Sequence, residues 1–402
     1  MSLTRTLALP CNNLPWLARL LLQRLNQLQY GSLLLHTPDG QSLWFGRPGE
    51  LPEAELHIYS WTTCRKLLFS GDIGFAEAYR DGLLYTPDIT ALLRLALRNE
   101  QVLGSALAGS WPARGWYWLK HCLRRNSRQG SQRNIHAHYD LGNAFYELWL
   151  DPSWTYSSAW FDGHYDLPLA TAQSAKYQRI CDVLGLQPGM RVLEIGCGWG
   201  GFAEHASSQG IAVHGITISH AQLDFARERL AGKQLVQLEW QDYRDLQGQY
   251  DAIVSIEMFE AVGEAYWPGF FAKLRQLLKP GGKALVQSIT IAESRFERYR
   301  RSSDFIQEFI FPGGMLPSRQ VFQDTAEQAG LMTRNRLDFG PDYAETLRRW
   351  RLAFEHTLDS VRQQGFDEAF IRLWRLYLCY CEAGFDEASI GVSQFLLQEA
   401  RP

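Results

Sequence analysis

Cysteine is sparse and unpatterned in this 402-residue chain. Its seven residues (Cys11, Cys64, Cys122, Cys181, Cys197, Cys379 and Cys381) are odd in number and match no zinc spacing, which argues for a reducing compartment over a disulfide scaffold. The nearest metal-like string, His136-Ala-His138, has no further ligands and reads as structural. Uninterrupted apolar runs are also missing. Leu14–Leu28 carries Arg19, Arg24, Asn26 and Gln27, so it reads as an amphipathic helix and not as a membrane span; no signal peptide is recognised. There is no internal repeat, and the net charge is only −3.

What is present is an ordinary soluble composition, 46% hydrophobic and 21% charged, with an unusual aromatic share of 13% that includes 14 Trp. Such a share points to a large apolar cavity or an interfacial surface. The length leaves room for two or three domains. Charge is divided unevenly: Trp111–Arg133 holds Arg114, Lys120, Arg124, Arg125, Arg128 and Arg133 with no acid, interleaved with Trp111, Trp116, Tyr117 and Trp118. This mixture suits the headgroup layer of an anionic membrane, and equally a solvated linker; nothing else in the chain supports nucleic acid.

The pattern divides the chain into residues 1–110, a linker over 111–133, and 134–402. The first part mixes a helix, a hairpin over Gly31–Phe45 turning at Pro38-Asp39-Gly40, and an amphipathic helix over Ile89–Leu103. In the last part MRVLEIG, IAVHGITI, QLVQLEW, YDAIVSI and KALVQSITI read as strands alternating with helices at Gly200–Gln209, Ala221–Ala231 and Trp267–Leu278. That alternation predicts an α/β fold with a parallel sheet. A Lys279-Pro280-Gly281-Gly282 turn precedes the fifth strand, and Tyr343–Leu397 reads as mostly helical and aromatic.

Ligands bind at the carboxyl ends of parallel strands. The first such end here is VLEIGCGWGG (192–201), where Gly196 and Gly198 let the backbone approach a ligand closely and Glu194 precedes them. The helix start beyond favours a carboxylate such as the amino-acid tail of S-adenosylmethionine. The second strand ends in Thr217 and Ser219, followed by Gln222; the absence of an acid there argues against a nicotinamide cofactor. After the third strand Asp242 is placed to accept from an adenine amine, and Tyr243 to pack on its ring. The ordered set points to S-adenosylmethionine, although each residue alone could be a cap or a turn. Cys197 reads as a packing residue.

The strings HYDLGNAFYELWLDPSWTYSSAWF (138–161), AQSAKYQRICDVLGLQPGMRVLEIGCGWGGFA (172–203), GITISHAQLDFARERL (215–230), QDYRD (241–245), SIEMFEAVG (255–263), FIFPGGMLPS (309–318) and DFGPDYAETLRRW (338–350) resemble the cyclopropane-fatty-acid synthase family. SGDIGFAEAYRDGLL (70–84) resembles the amino-terminal domain of its long, two-domain members. The resemblance implies a Rossmann-like class I methyltransferase with a mostly parallel seven-stranded sheet, plus a smaller α+β amino-terminal domain for lipid contact or dimerisation. It implies methylation of the cis double bond of phospholipid acyl chains, on the cytoplasmic side and peripheral to the membrane. In the family a bicarbonate ion, caged by Cys, Glu, His, a backbone position and Tyr, takes the proton that closes the ring.

Carried onto this chain, that cage is altered. Glu260, Tyr343 and the backbone of Ile289 match, but Ser158 replaces the Cys, Gln287 the His, and Ala261 stands where a further His is found. Ser158 and Gln287 can donate to an anion but do not titrate near neutrality. Bicarbonate is therefore in doubt, and Glu260 beside Tyr343 becomes a candidate base. Proton loss from a chain carbon would give a methyl-branched alkene, so cyclopropane and methyl-branched products are both open. The resemblance adds Tyr156 and Ser157 to the cofactor residues, and Trp160, Phe161 and Phe259 are candidates to face a cation or to be plain core. Arg295, Arg298, Arg300 and Arg301 ahead of Phe305, Phe309 and Phe311 suit a phospholipid headgroup over an acyl chain, or else a solvated helix face. An amine N-methyltransferase and a non-catalytic, cofactor-binding partner are the competing readings.

Overall fold

The computed structural model describes residues 14–107 and 141–400. Cys11, Cys122, His136, His138 and the basic aromatic stretch 111–133 lie outside the described residues. The chain divides into two compact units, Met1–Trp116 and Tyr117–Pro402. Among the described residues no helix is long and apolar enough to cross a membrane.

The first unit is α+β. β1 (Ser32–His36) pairs antiparallel with β2 (Ser42–Gly46), the expected hairpin, and parallel with β3 (Glu53–Ile58), which pairs antiparallel with β4 (Leu84–Tyr85). The expected helix over Ile89–Leu103 is instead two, Ile89–Arg98 and Glu100–Leu107. The break falls at the buried Asn99. Its Oδ1 accepts from the amides of Gln29 (2.8 Å) and Tyr30 (3.1 Å), while its amide donates to the carbonyls of Tyr30 and Leu95. A side chain that competes for backbone groups interrupts the ladder of its own helix.

In the second unit the sheet runs β10-β11-β9-β8-β5-β6-β7, with β5 at Arg191–Ile195, β6 at Ala212–Thr217, β7 at Val236–Trp240, β8 at Tyr250–Ile256, β9 at Leu278–Ile291, β10 at Leu331–Asp338 and β11 at Ile390–Glu399. Strands β9, β8, β5, β6 and β7 pair in parallel; β11 runs antiparallel to both β9 and β10. The segment Tyr343–Leu397 is mostly helical, as expected, and ends in the strand β11. Its helices are Gly340–His356, Leu358–Gln363 and Glu368–Asp386. The Lys279–Gly282 turn lies within β9 as an irregularity: Tyr250 pairs with Leu278, then Ala252 with Lys283.

Alternating residues of the central strands feed two cores. Leu193, Ile253 and Val286 join Phe259, Trp267, Phe270, Phe271 and Phe322 on one face. Val192, Val254 and Leu285 join Tyr177, Ile180 and Phe202 on the other. Both faces being covered, these strands read as continuous apolar runs. Chain order reverses between β5 and β8, so the loops after these two strands open side by side at a topological switch point.

Candidate active site

The loop after β5 has Gly196 at φ +83° and Gly198 at φ +51°, conformations that side-chain-bearing residues rarely adopt. A Cβ on Gly196 would lie 3.0 Å from Met258, whereas one on Gly198 would meet nothing within 4 Å. Cys197 between them is buried against Gly215, and burial pushes its thiol well up, in keeping with a packing role. Glu194 is buried with Oε2 unpartnered, and burial raises its carboxyl. At the end of β6 the Thr217 hydroxyl donates to Gln222 Oε1 (3.3 Å) and accepts from the Ser219 amide (3.2 Å); Ser219 caps the helix His220–Arg229 through the Gln222 amide. Asp242 is held by Arg244, at 2.8 Å from Nε to Oδ1 and 2.5 Å from Nη2 to Oδ2, and the Tyr243 ring packs edge-on against Phe270. An open glycine cradle, an orphaned carboxylate oxygen and a neutral polar strand end side by side fit S-adenosylmethionine.

Ser157 and Tyr156 are tied elsewhere. The Ser157 hydroxyl accepts from Lys176 Nζ (2.7 Å), which also reaches Gln173 Oε1 (2.8 Å). Lys176 is fully buried on the helix Leu169–Leu184, and burial lowers its ammonium to about 7. The Tyr156 hydroxyl meets that of Tyr377 at 2.7 Å, and its ring lies among Tyr146, Trp149 and Trp350. Phe259 is core, enclosed by Trp267, Phe270, Phe271 and Phe322, and not a face presented to a cation. Phe161 is also buried, with the Arg349 guanidinium 4.6 Å from its ring centre; Trp160 has Arg179 above it at 5.6 Å.

The residues carried over as an anion cage do converge, but on a carboxylate that the sequence reading passed over. Glu257, the first residue after β8, accepts from the Ser158 amide (2.9 Å), from Gln287 Nε2 (2.7 Å) and from the Tyr343 hydroxyl (2.6 Å). Two expectations are corrected. Ser158 contributes its backbone, since its hydroxyl donates to the Ala159 carbonyl (2.9 Å). Tyr343 binds Glu257, not Glu260. Glu260 has separate partners: the Ser288 hydroxyl donates to Oε1 (3.1 Å), as does the Ile289 amide, and Oε2 has none. The signal for Glu257 was its position, an acid at the carboxyl end of a central parallel strand. Enclosure by protein raises the Glu257 carboxyl against the pull of Tyr343 and Lys176. Enclosure together with the Glu257 charge raises Glu260 to about 8. Both residues keep partial exposure.

Behind this cluster the polar contacts continue. Gln287 Oε1 accepts from Gln394 Nε2 (3.0 Å), its register partner on β11, and Gln394 Oε1 accepts from Arg179. Of the donors to Glu257, Gln287 is held by Gln394, and the Tyr343 ring is stacked on Phe385 and edge-on to Trp350. The Glu257 carboxylate thus takes the Ser158 amide, the Gln287 amide and the Tyr343 hydroxyl, three of the positions that the resemblance assigned to a bicarbonate cage. In the arginine cluster, Arg300 pairs with Glu264 and Glu297, and Arg301 with Glu297 (3.0 Å).

Residues 126–395 match the model of the mycolic acid cyclopropane synthetase family. Tuberculostearic acid methyltransferase UfaA1 of Mycobacterium tuberculosis is 38% identical over 91% of this chain and 85% of its own length. Cyclopropane-fatty-acyl-phospholipid synthase of Escherichia coli K12 is 34% identical over 85% of this chain and 87% of its own. Among solved structures, mycolic acid cyclopropane synthase CmaA1 with SAH and CTAB superposes with a TM-score of 0.62 at 32% identity, covering 67% of this chain and 98% of that one. Coclaurine N-methyltransferase reaches the same TM-score at 18% identity, over 81% of this chain and 99% of its own, which speaks for the fold alone. With a glycine cradle suited to S-adenosylmethionine and a carboxylate cluster at the switch point of its sheet, this chain belongs to the mycolic acid cyclopropane synthetase family.

Proposed function

We propose that this protein transfers a methyl group from S-adenosylmethionine to the cis double bond of an unsaturated phospholipid acyl chain, giving a cyclopropane or methyl-branched product. The observation that carries this reading is the Glu257–Glu260 carboxylate pair, enclosed by protein at the switch point and held by the Ser158 amide, Gln287, Tyr343, Ser288 and the Ile289 amide. Methylation of an alkene leaves a cation that must lose a proton away from bulk water, and a desolvated carboxylate is a fitting acceptor. S-adenosylmethionine, when bound, supplies the electrophilic methyl group. Gly196, Gly198 and Glu194 hold its amino-acid end in this reading, and Thr217, Ser219, Gln222, Asp242 and Tyr243 its nucleoside; Tyr156 and Ser157 border it. The names of the relatives from Mycobacterium tuberculosis and Escherichia coli support an acyl acceptor over an amine.

The acceptor places the protein at a membrane surface, peripherally and on the cytoplasmic side. Support comes from the amino-terminal unit, which exposes Trp16, Trp44, Leu51 and Tyr59. The test of the whole reading is expression in a bacterium lacking its own synthase, with methyl-labelled methionine and mass spectrometry of the membrane fatty acids. A labelled cyclopropane or labelled methyl-branched acyl chain is expected. Label confined to small amines, or absent from lipid, overturns the reading.

A further inference from the structure

We propose that Glu257 is a built-in base, a carboxylate carried by the chain itself, which takes the place of a dissolved bicarbonate ion and receives the proton released after methyl transfer. The inference rests on the lipid reading above and deepens it. Four observations support it. First, the donors meant to hold an external anion are consumed: the Ser158 amide, Gln287 Nε2 and the Tyr343 hydroxyl, at 2.6–2.9 Å, all point at one side chain. Second, Glu257 sits at φ +50°, one of only four non-glycine residues with positive φ among the described residues. That conformation is strained for a residue bearing a side chain and is retained at functional sites. Its amide is anchored to the Gln287 carbonyl (2.8 Å), so the backbone turn and the cage are one unit. Third, Gln287 and Tyr343 have no acid–base role of their own near neutrality, so the proton needs a carboxylate. Fourth, Glu260 lies outside this ring of donors, its Oε1 taking the Ser288 hydroxyl and the Ile289 amide, and enclosure beside the Glu257 charge raises it to about 8, so at neutral pH it keeps a proton of its own.

The step balances without a further reagent. The π pair of the alkene forms a bond to the methyl carbon as the sulfur–carbon bond breaks and its pair stays on sulfur. The adjacent chain carbon becomes cationic. The Glu257 carboxylate then takes one proton. If that proton leaves the new methyl group, its C–H pair closes the three-membered ring; if it leaves a neighbouring chain carbon, the pair becomes a new double bond beside the methyl branch. The protonated Glu257 returns its proton to solvent between turnovers, and its partial exposure provides the route.

The experiment uses the full-length protein, vesicles of phospholipid with cis-monounsaturated chains, and methyl-labelled S-adenosylmethionine, in buffer stripped of carbon dioxide and again with bicarbonate added. The variants are Glu257→Gln, isosteric and unable to take a proton, and Glu257→Gly, which relieves the positive φ and leaves the donors facing a gap. Binding of S-adenosylmethionine by calorimetry, within threefold of wild type, verifies that each variant is folded. Wild-type turnover is expected to stay within twofold between the two buffers. Glu257→Gln should lose about 100-fold or more, the scale of a lost general base. Glu257→Gly should be inactive in stripped buffer and regain at least tenfold with bicarbonate or formate. A wild-type enzyme that loses tenfold without bicarbonate, or a Glu257→Gln variant within threefold of wild type, overturns the inference and leaves the lipid reading standing. Absence of labelled lipid from wild type in both buffers overturns the lipid reading and this inference with it.

Discussion

Glu260 and Glu257 lie three residues apart, with different partners and different consequences. With Glu260 raised to about 8, the folded chain holds a proton that the unfolded chain releases near 4.5. Stability from this group is therefore full below about pH 4.5 and fades as pH rises toward about 8; the raised Glu257 acts in the same direction. Glu260→Gln should flatten the fall of the melting temperature between about pH 5 and pH 8, and an unchanged slope would assign that fall to other groups. Ser158, Gln287, Tyr343 and Ile289 were legible in sequence because motif strings fixed their positions. Glu257 was not singled out although it stands in the same SIEMFEAVG string. Sequence shows which residues flank a site, whereas the positive φ that turns this side chain into the donors appears only in three dimensions. Lys176 was hidden for a related reason: an amphipathic helix pattern does not reveal which lysine turns inward.

At the scale of elements, the alternation of strands and helices was legible from period and spacing, down to the hairpin and the helix at His220–Arg229. The departures have local causes. Asn99 splits a helix that apolar spacing alone joins, because its amide serves two neighbouring backbones. Asn99→Ala strands the amides of Gln29 and Tyr30 and should cost about 2–3 kcal/mol in chemical denaturation of the full chain; a loss under 0.5 kcal/mol would mean that water replaces the side chain. Strand β11 was masked by the apolar helix preceding it, since a short apolar run carries no period of its own. In the cofactor loop, Gly196→Ala sets a Cβ 3.0 Å from Met258 at φ +83°. It should weaken S-adenosylmethionine binding about tenfold by calorimetry, and unaltered affinity would place the ligand away from this turn.

At the scale of the whole molecule, the apolar side chains exposed on the amino-terminal unit carry a prediction about surfaces. Sedimentation with anionic vesicles should fall several-fold in a Trp44→Ser, Leu51→Ser double variant, with affinity for S-adenosylmethionine unchanged; equal sedimentation would remove this face from the membrane contact, and a change in oligomeric state instead would identify it as a dimer surface. A longer-range consequence follows from the order of amides behind the carboxylate. Arg179 can only donate, so Gln394 must turn its oxygen toward the guanidinium and its nitrogen toward Gln287. Gln287 must then offer its own nitrogen to Glu257. The two glutamines act as a wire with a fixed polarity, and a permanent cation at one end dictates that the far end meets an acceptor. A guanidinium on the helix Leu169–Leu184 thereby favours the ionised form of a carboxylate it never touches. Remove that cation and the orientation of Gln394 is no longer dictated from behind, and the proton affinity of the distant carboxylate becomes adjustable from a residue two amides away on the same face of the sheet.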